Sequence, residues 1–340
     1  MYTGKRSRPH RPVWPLFVFA GLAVLLIAAL IFILLPFSQP PPTPSQPNLP
    51  ATAQPSPSPS PAPTTEPAAS VPVPDPAELL SQMTLREKVC QLFIVQPADL
   101  VPGVGRVTAA GENTRRALER WPVAGILYNA GNLVSPDQTR TMLANAQSYS
   151  KIPLILTADE EGGRVNRLMN TIGTTYIGPM LGFKDQGPDK AAENARTIAA
   201  DMRSFGFNMD LAPVADVWSN PSNTVIGDRA YSDDFEQAAA LVSAAVGGFH
   251  EGGVACSLKH FPGHGDTSAD SHYGSVYVYK TLDELRSAEL VPFQAGIDAG
   301  ADAVMMGHLI IADVDDQPAL FSYEIVTELL REELGFDGVV

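Results

Sequence analysis

Three hydrophobic patterns follow one another along the chain. Leu16 to Leu35 is an apolar run of twenty residues without a charge. A helix of that length, at ~1.5 Å per residue, matches a bilayer's ~30 Å hydrocarbon core, so a transmembrane segment is predicted within residues 13–37. Residues 38–76 are dominated by Pro, Ser, Thr and Ala, with serine and proline alternating over Pro55–Pro61. Such a stretch buries too little apolar surface to fold and favours polyproline II, which predicts an extended spacer. From residue 77 onward the pattern becomes one of helices and short apolar runs. Leu79, Leu80, Met83, Val89 and Leu92 recur at helical spacing within Glu78–Phe93. Strands are predicted at Gln91–Val95, Gly125–Tyr128, Leu154–Ala158, Asn208–Pro213, Val254–Lys259, Asp302–Met306 and Asp337–Val340. Helical stretches such as Lys190–Ser204, Phe235–Glu251 and Leu282–Ala299 separate most of them.

The apolar runs do not alternate cleanly, as expected of parallel strands covered on both faces. About seven β/α units predict an α/β fold, a (β/α)8 TIM-like barrel incomplete at its C-terminus, with about seven of its eight strands. An open doubly wound sheet is the other arrangement this pattern allows. Because the seventh strand reaches Val340, the expectation is that the first and seventh strands stay unpaired and the 340 residues represent a truncated domain.

Charge changes the picture in two ways. The formal charge is −14, yet Lys5, Arg6, Arg8 and Arg11 crowd into the first twelve residues. No further Lys or Arg follows until Arg86. That asymmetry predicts a cytoplasmic basic tail at 1–12 and an extracytoplasmic domain at 77–340, on a single-pass membrane protein. Pro36-Phe37-Ser38-Gln39-Pro40 after the apolar run is unlike a small-residue cleavage site, so an uncleaved anchor is expected. The remaining surface is strongly acidic and repels phosphate backbones, which argues against nucleic acid. Cys90 and Cys256 make no disulfide framework, and both lie in apolar runs, as buried structural thiols do.

Candidate chemistry falls at the predicted C-terminal strand ends, where barrels of this kind place their sites. Asp159-Glu160-Glu161-Gly162-Gly163-Arg164-Val165-Asn166-Arg167 follows the third strand, its glycines allowing a sharp turn. Asp210 and Asp216 flank the fourth strand's end and are read as loop braces. Gly227-Asp228-Arg229 offers a guanidinium to a ligand hydroxyl or carboxylate. Half of the chain's six histidines, His260, His264 and His272, lie in the segment from Lys259 to His272, which also contains Asp266 and Asp270. Two chemistries compete there. His260, His264, Asp266, Asp270 and His272 offer zinc-type N/O ligands, but the segment is glycine-rich and has no helical histidine pair. In the other, favoured reading, Asp270 orients His272, whose unperturbed pKa of ~6.5 suits proton transfer near neutrality. Neither metal nor cofactor is then required.

Lys259-His260-Phe261-Pro262-Gly263-His264-Gly265 with Asp270-Ser271-His272, and Asp159–Arg167 before it, closely resembles glycoside hydrolase family 3. Within it, the resemblance is to the β-N-acetylglucosaminidase branch of the cell-wall recycling type. Met83-Thr84-Leu85-Arg86-Glu87-Lys88-Val89, with Cys90 in place of the usual glycine, matches the family's opening helix. Leu211–Val217 and Leu334–Val340 match as well, so the resemblance covers about residues 77–340. It implies a retaining double displacement in which His272 is the acid/base and Asp270 its partner. It further implies that Asp159, Arg167, Arg229, Lys259 and His260 bind N-acetylglucosamine, with His264 and His308 at the rim. The family's nucleophilic aspartate lies downstream of a Phe-Asp-Gly-Val-Val stretch. It is therefore expected beyond Val340, with Asp337 not in that role and the 340 residues inactive by themselves. The implied function is removal of GlcNAc from peptidoglycan fragments. Phosphorolysis, another glycosidic specificity, or a non-catalytic muropeptide-binding role remain as alternatives, and the sequence gives no oligomeric state.

Overall fold

The computed structural model describes residues 75–268, 274 and 276–340. The predicted tail, the anchor and all but the end of the proline-rich segment lie outside the described residues. So do Asp270 and His272. Among the described residues no helix is long and apolar enough to cross a membrane.

Six parallel strands form one sheet: β1 (Ile94–Val95), β2 (Gly125–Leu127), β3 (Ile155–Ala158), β4 (Met209–Asp210), β5 (Ala255–Phe261) and β6 (Ala303–Met306). Their spatial order equals their chain order. A doubly wound sheet reverses its strand order at a switch point, so that alternative is set aside in favour of a curled β/α-barrel wall. The register supports this. Gly125 pairs with Ile155 and Met209 with Ala255, but β4 starts opposite Thr157 and β6 opposite Ser257. The stagger therefore advances by two residues at two of the five interfaces, in the same direction each time, as the shear of a tilted barrel wall requires. Val339 bridges Ala303 in parallel, so the predicted seventh strand takes the next place in the wall.

One main helix follows each strand: α1 (Glu112–Arg120), α2 (Pro136–Tyr149), α3 (Pro188–Phe205), α4 (Phe235–Glu251), α5 (Leu290–Asp298) and α6 (Glu324–Glu333), the last wound as a π-helix. Alanine and glycine let α3 and α4 pack closely. A Cβ at Gly248 would lie 2.3 Å from the Ala192 carbonyl oxygen, so only glycine fits there. The core between sheet and helices is aliphatic and aromatic, with Ile126, Leu156, Leu258, Phe261 and Phe293 all buried.

Two predicted helices are each split in two. Leu282–Ala299 becomes Leu282–Arg286 and α5, because Pro292 has no N–H for a continuous ladder and is tolerated only in a first turn. The helix within Glu78–Phe93 breaks at Met83, where Thr84 and Glu87 form a reciprocal cap that starts a new helix at Leu85. Cys90 and Cys256 are both buried and unpaired, as expected.

Candidate active site

Side chains at the C-terminal strand ends converge on a cleft of about 750 Å3, a volume suited to a small ligand. Past β3 the chain doubles back as a hairpin, Glu160–Gly162 against Val165–Asn166. Gly162 and Gly163 make the turn with φ of +84° and +57°, angles that disfavour any side chain. Residues alternate across this strand, so Asp159 and Glu161 line the cleft and Glu160 turns away. The Glu160 carboxylate accepts the backbone amides of Arg167 (2.6 Å), Leu168 (2.8 Å) and Met169 (3.1 Å), which fixes the return of the hairpin.

Lys259, on β5, is 1% exposed. Its Nζ lies 2.8 Å from Asp159 Oδ1 and 2.5 Å from Glu161 Oε1. Arg229 grips Glu161 with both Nε and Nη2 at 2.8 Å, and its Nη1 donates to the Val225 carbonyl at 3.0 Å. Arg167 reaches Asp159 at 3.4 Å. Burial alone would raise the Glu161 pKa, but Lys259 and Arg229 outweigh it and hold the carboxyl at about 2. Burial would likewise pull Lys259 down, yet Glu161 and Asp159 push it above its ordinary value. The result is a fixed array of two carboxylates and three cations in a site largely shielded from water. Charge-assisted donors and acceptors of this kind can recognise sugar hydroxyls and an amide carbonyl.

A second network positions His260. Asp216 is buried, and its Oδ2 lies 2.6 Å from His260 Nδ1. Its Oδ1 accepts the backbone amides of His260 (3.1 Å) and His264 (2.6 Å). Asp216 thus braces the loop, as its sequence position suggests, and also orients the His260 ring that lines the cleft. His264 Nδ1 lies 2.7 Å from Thr267 Oγ1, and burial keeps this imidazole toward its neutral form. His308 is exposed at the mouth, beside Met305 and Met306.

Residues 84–340 match the glycosyl hydrolase family 3 N-terminal domain. The chain belongs to glycosyl hydrolase family 3. A β-hexosaminidase of Stenotrophomonas maltophilia strain R551-3 is 38% identical over 232 residues, covering 66% of this chain and 68% of that protein. Among solved structures, a family 3 β-N-acetylglucosaminidase from Paenibacillus sp. superposes with a TM-score of 0.70 at 37% identity. That match covers 76% of this chain, which spans 48% of the Paenibacillus protein. NagZ from Neisseria gonorrhoeae, solved in complex with N-trifluoroacetyl-D-glucosamine, superposes with a TM-score of 0.65 at 30% identity, over 72% of each chain. Within family 3 the chain is thus of the β-N-acetylhexosaminidase type.

In this family 3 chain, all five residues expected to bind sugar, Asp159, Arg167, Arg229, Lys259 and His260, share one cleft. His264 and His308 line it too. Ser268, where the described chain enters the segment bearing Asp270 and His272, also faces the cleft. Sequence reasoning did not single out Glu161, the residue that joins Lys259 to Arg229. Its signal was the two-residue spacing from Asp159 on an extended segment. Arg164 was also missed; its Nη2 donates to the carbonyls of Thr224, Val225 and Ile226 and secures the loop that carries Arg229. Asp210 is fully buried and braces the hairpin by accepting the Glu160 amide at 3.0 Å; burial pushes its pKa well up.

Proposed function

We propose that the protein is a membrane-anchored, extracytoplasmic β-N-acetylglucosaminidase that removes GlcNAc from peptidoglycan fragments. The observation that carries the sugar-processing part of this reading is the Lys259–Glu161–Arg229 and Asp159–Arg167 array beside His260, in a cleft at the strand ends. The relatives support it: one bears the name β-hexosaminidase, and another was solved with an N-acylated glucosamine. In this reading Asp159 accepts hydrogen bonds from sugar hydroxyls, while Lys259, Arg167 and His260 donate hydrogen bonds to sugar oxygens. His272, oriented by Asp270, protonates the leaving glycosidic oxygen and later deprotonates the incoming water. Each described cleft carboxylate, Asp159 or Glu161, is held by two cations, so neither is assigned as the nucleophile.

The anchor at 13–37 and the spacer at 38–76 complete the proposal. At ~3.1 Å per residue the spacer holds the domain up to ~100 Å from the bilayer, within reach of the cell wall. The test is release of GlcNAc from a GlcNAc-MurNAc disaccharide by the native protein. Binding without release would instead favour a sugar-binding role. The acid/base assignment is tested by His272→Ala, which should depress turnover of poor leaving groups far more than of nitrophenolate; equal losses would sink it. Protection of the domain from protease added to spheroplasts, under conditions that cleave it once they are lysed, would refute the extracytoplasmic placement.

A further inference from the structure

Three side chains meet at the end of the sheet remote from the cleft. His250 lies in the last turn of α4, Cys256 is the second residue of β5, and Asp302 immediately precedes β6. The strand ends of β5 and β6 that line the cleft are their opposite, C-terminal ends. His250 Nε2 lies 2.9 Å from Asp302 Oδ2, and the same oxygen accepts the Cys256 amide at 2.9 Å. One nitrogen, one sulfur and one oxygen, a ligand atom from each residue, lie within 4.8 Å of one another.

We propose that His250, Cys256 and Asp302 form a binding site for a zinc-class divalent cation, separate from the sugar cleft. The donor set decides the class of ion. Thiolate with imidazole and carboxylate suits Zn2+ or Co2+, whereas Ca2+ and Mg2+ seek all-oxygen cages. Access decides the geometry. The Cys256 side chain is fully buried, while those of His250 and Asp302 are 38% and 43% exposed. An ion therefore enters from solvent through the imidazole and carboxylate and meets the sulfur from within, leaving water as the fourth ligand. On binding, the S–H bond breaks, its proton passes to solvent, and a metal–sulfur bond forms. The site ties the end of α4 to the entrances of β5 and β6, the face of a β/α barrel that serves stability rather than catalysis. Its role is thus structural, and it stands whatever sugar the cleft takes.

The test is Co2+ titration of the full chain with its thiols reduced. The expected result is one equivalent bound, a thiolate-to-cobalt charge-transfer band in the near ultraviolet, and loss of that band on adding Zn2+. Cys256→Ser should abolish the band, and His250→Ala, at a half-exposed helix end, should abolish it in a chain that still folds. Zn2+ should also raise the melting temperature of the parent protein but not of His250→Ala. Absence of the band in the parent overturns the proposal. So does a band that survives Cys256→Ser, since it would then arise from Cys90, the other cysteine of the chain. Cobalt bound only at the cleft histidines would give no thiolate band and also counts against the site.

Discussion

Replacing Glu161 with glutamine keeps the shape of the side chain but removes the charge shared by Lys259 and Arg229. Both the ammonium and the guanidinium would then stay buried with fewer negative partners. The magnitude follows from the structure in two ways. Glu161 is held at about 2 against an ordinary 4.5, and at ~1.4 kcal/mol per unit this amounts to about 3 kcal/mol of stability at neutral pH. Removing one partner of a buried ion pair typically costs ~3–5 kcal/mol, in agreement. Because the folded-state pKa is depressed, the contribution is fully present above pH 4.5 and is lost as the pH falls towards 2. Urea unfolding followed by tryptophan fluorescence should place the variant about 3 kcal/mol below the parent at pH 7, or ~6–12 °C lower in melting temperature. The gap should narrow steadily below pH 4.5. Equal stabilities at pH 7, or a gap that ignores pH, would refute the ion-pair account of this cleft.

Other parts of the account make separate predictions. Asp216→Asn should weaken GlcNAc binding about tenfold, ~1.4 kcal/mol, by releasing His260. Combined with His260→Ala it should add nothing to the single loss, and additive effects in titration calorimetry would argue against Asp216 acting through His260. Gly248→Ala places a Cβ 2.3 Å from the Ala192 carbonyl oxygen and should cost ~1–3 kcal/mol by forcing α3 and α4 apart. An unchanged melting temperature would mean the helices pack more loosely. Burial pushes the Cys256 thiol up to about 12, and Cys90 is 7% exposed. Neither should react rapidly with a disulfide reagent in the native, metal-free protein, whereas both should in urea.

Much of this fold is legible in the sequence because buried parallel strands are short continuous apolar runs. Every strand of the main sheet falls within or overlaps a predicted run, and the Val339 bridge lies in the last one. The cleft residues are legible because they cluster at strand ends, where barrel geometry brings distant segments together. The remainder depended on contacts that local pattern does not encode. Glu161 looks like one acid among several until Lys259, 98 positions later, is placed beside it. The grouping of His250 and Cys256 with Asp302 needs the β5–β6 pairing, and no spacing rule reports that. The split at Pro292 is local, and a proline weighed against helical periodicity would have found it. The proposed anchor and the Asp270–His272 pair lie outside the described residues; the first rests on hydropathy alone, the second on the resemblance of its motif to the family's.

The most direct test of the central claim is calorimetric titration of the full chain with N-acetylglucosamine, alongside glucose and the Lys259→Met variant. The account predicts saturable binding of N-acetylglucosamine, at least tenfold weaker binding of glucose, and loss of binding when Lys259 is replaced. No binding by the parent protein, or undiminished affinity in a folded Lys259→Met chain, would contradict it.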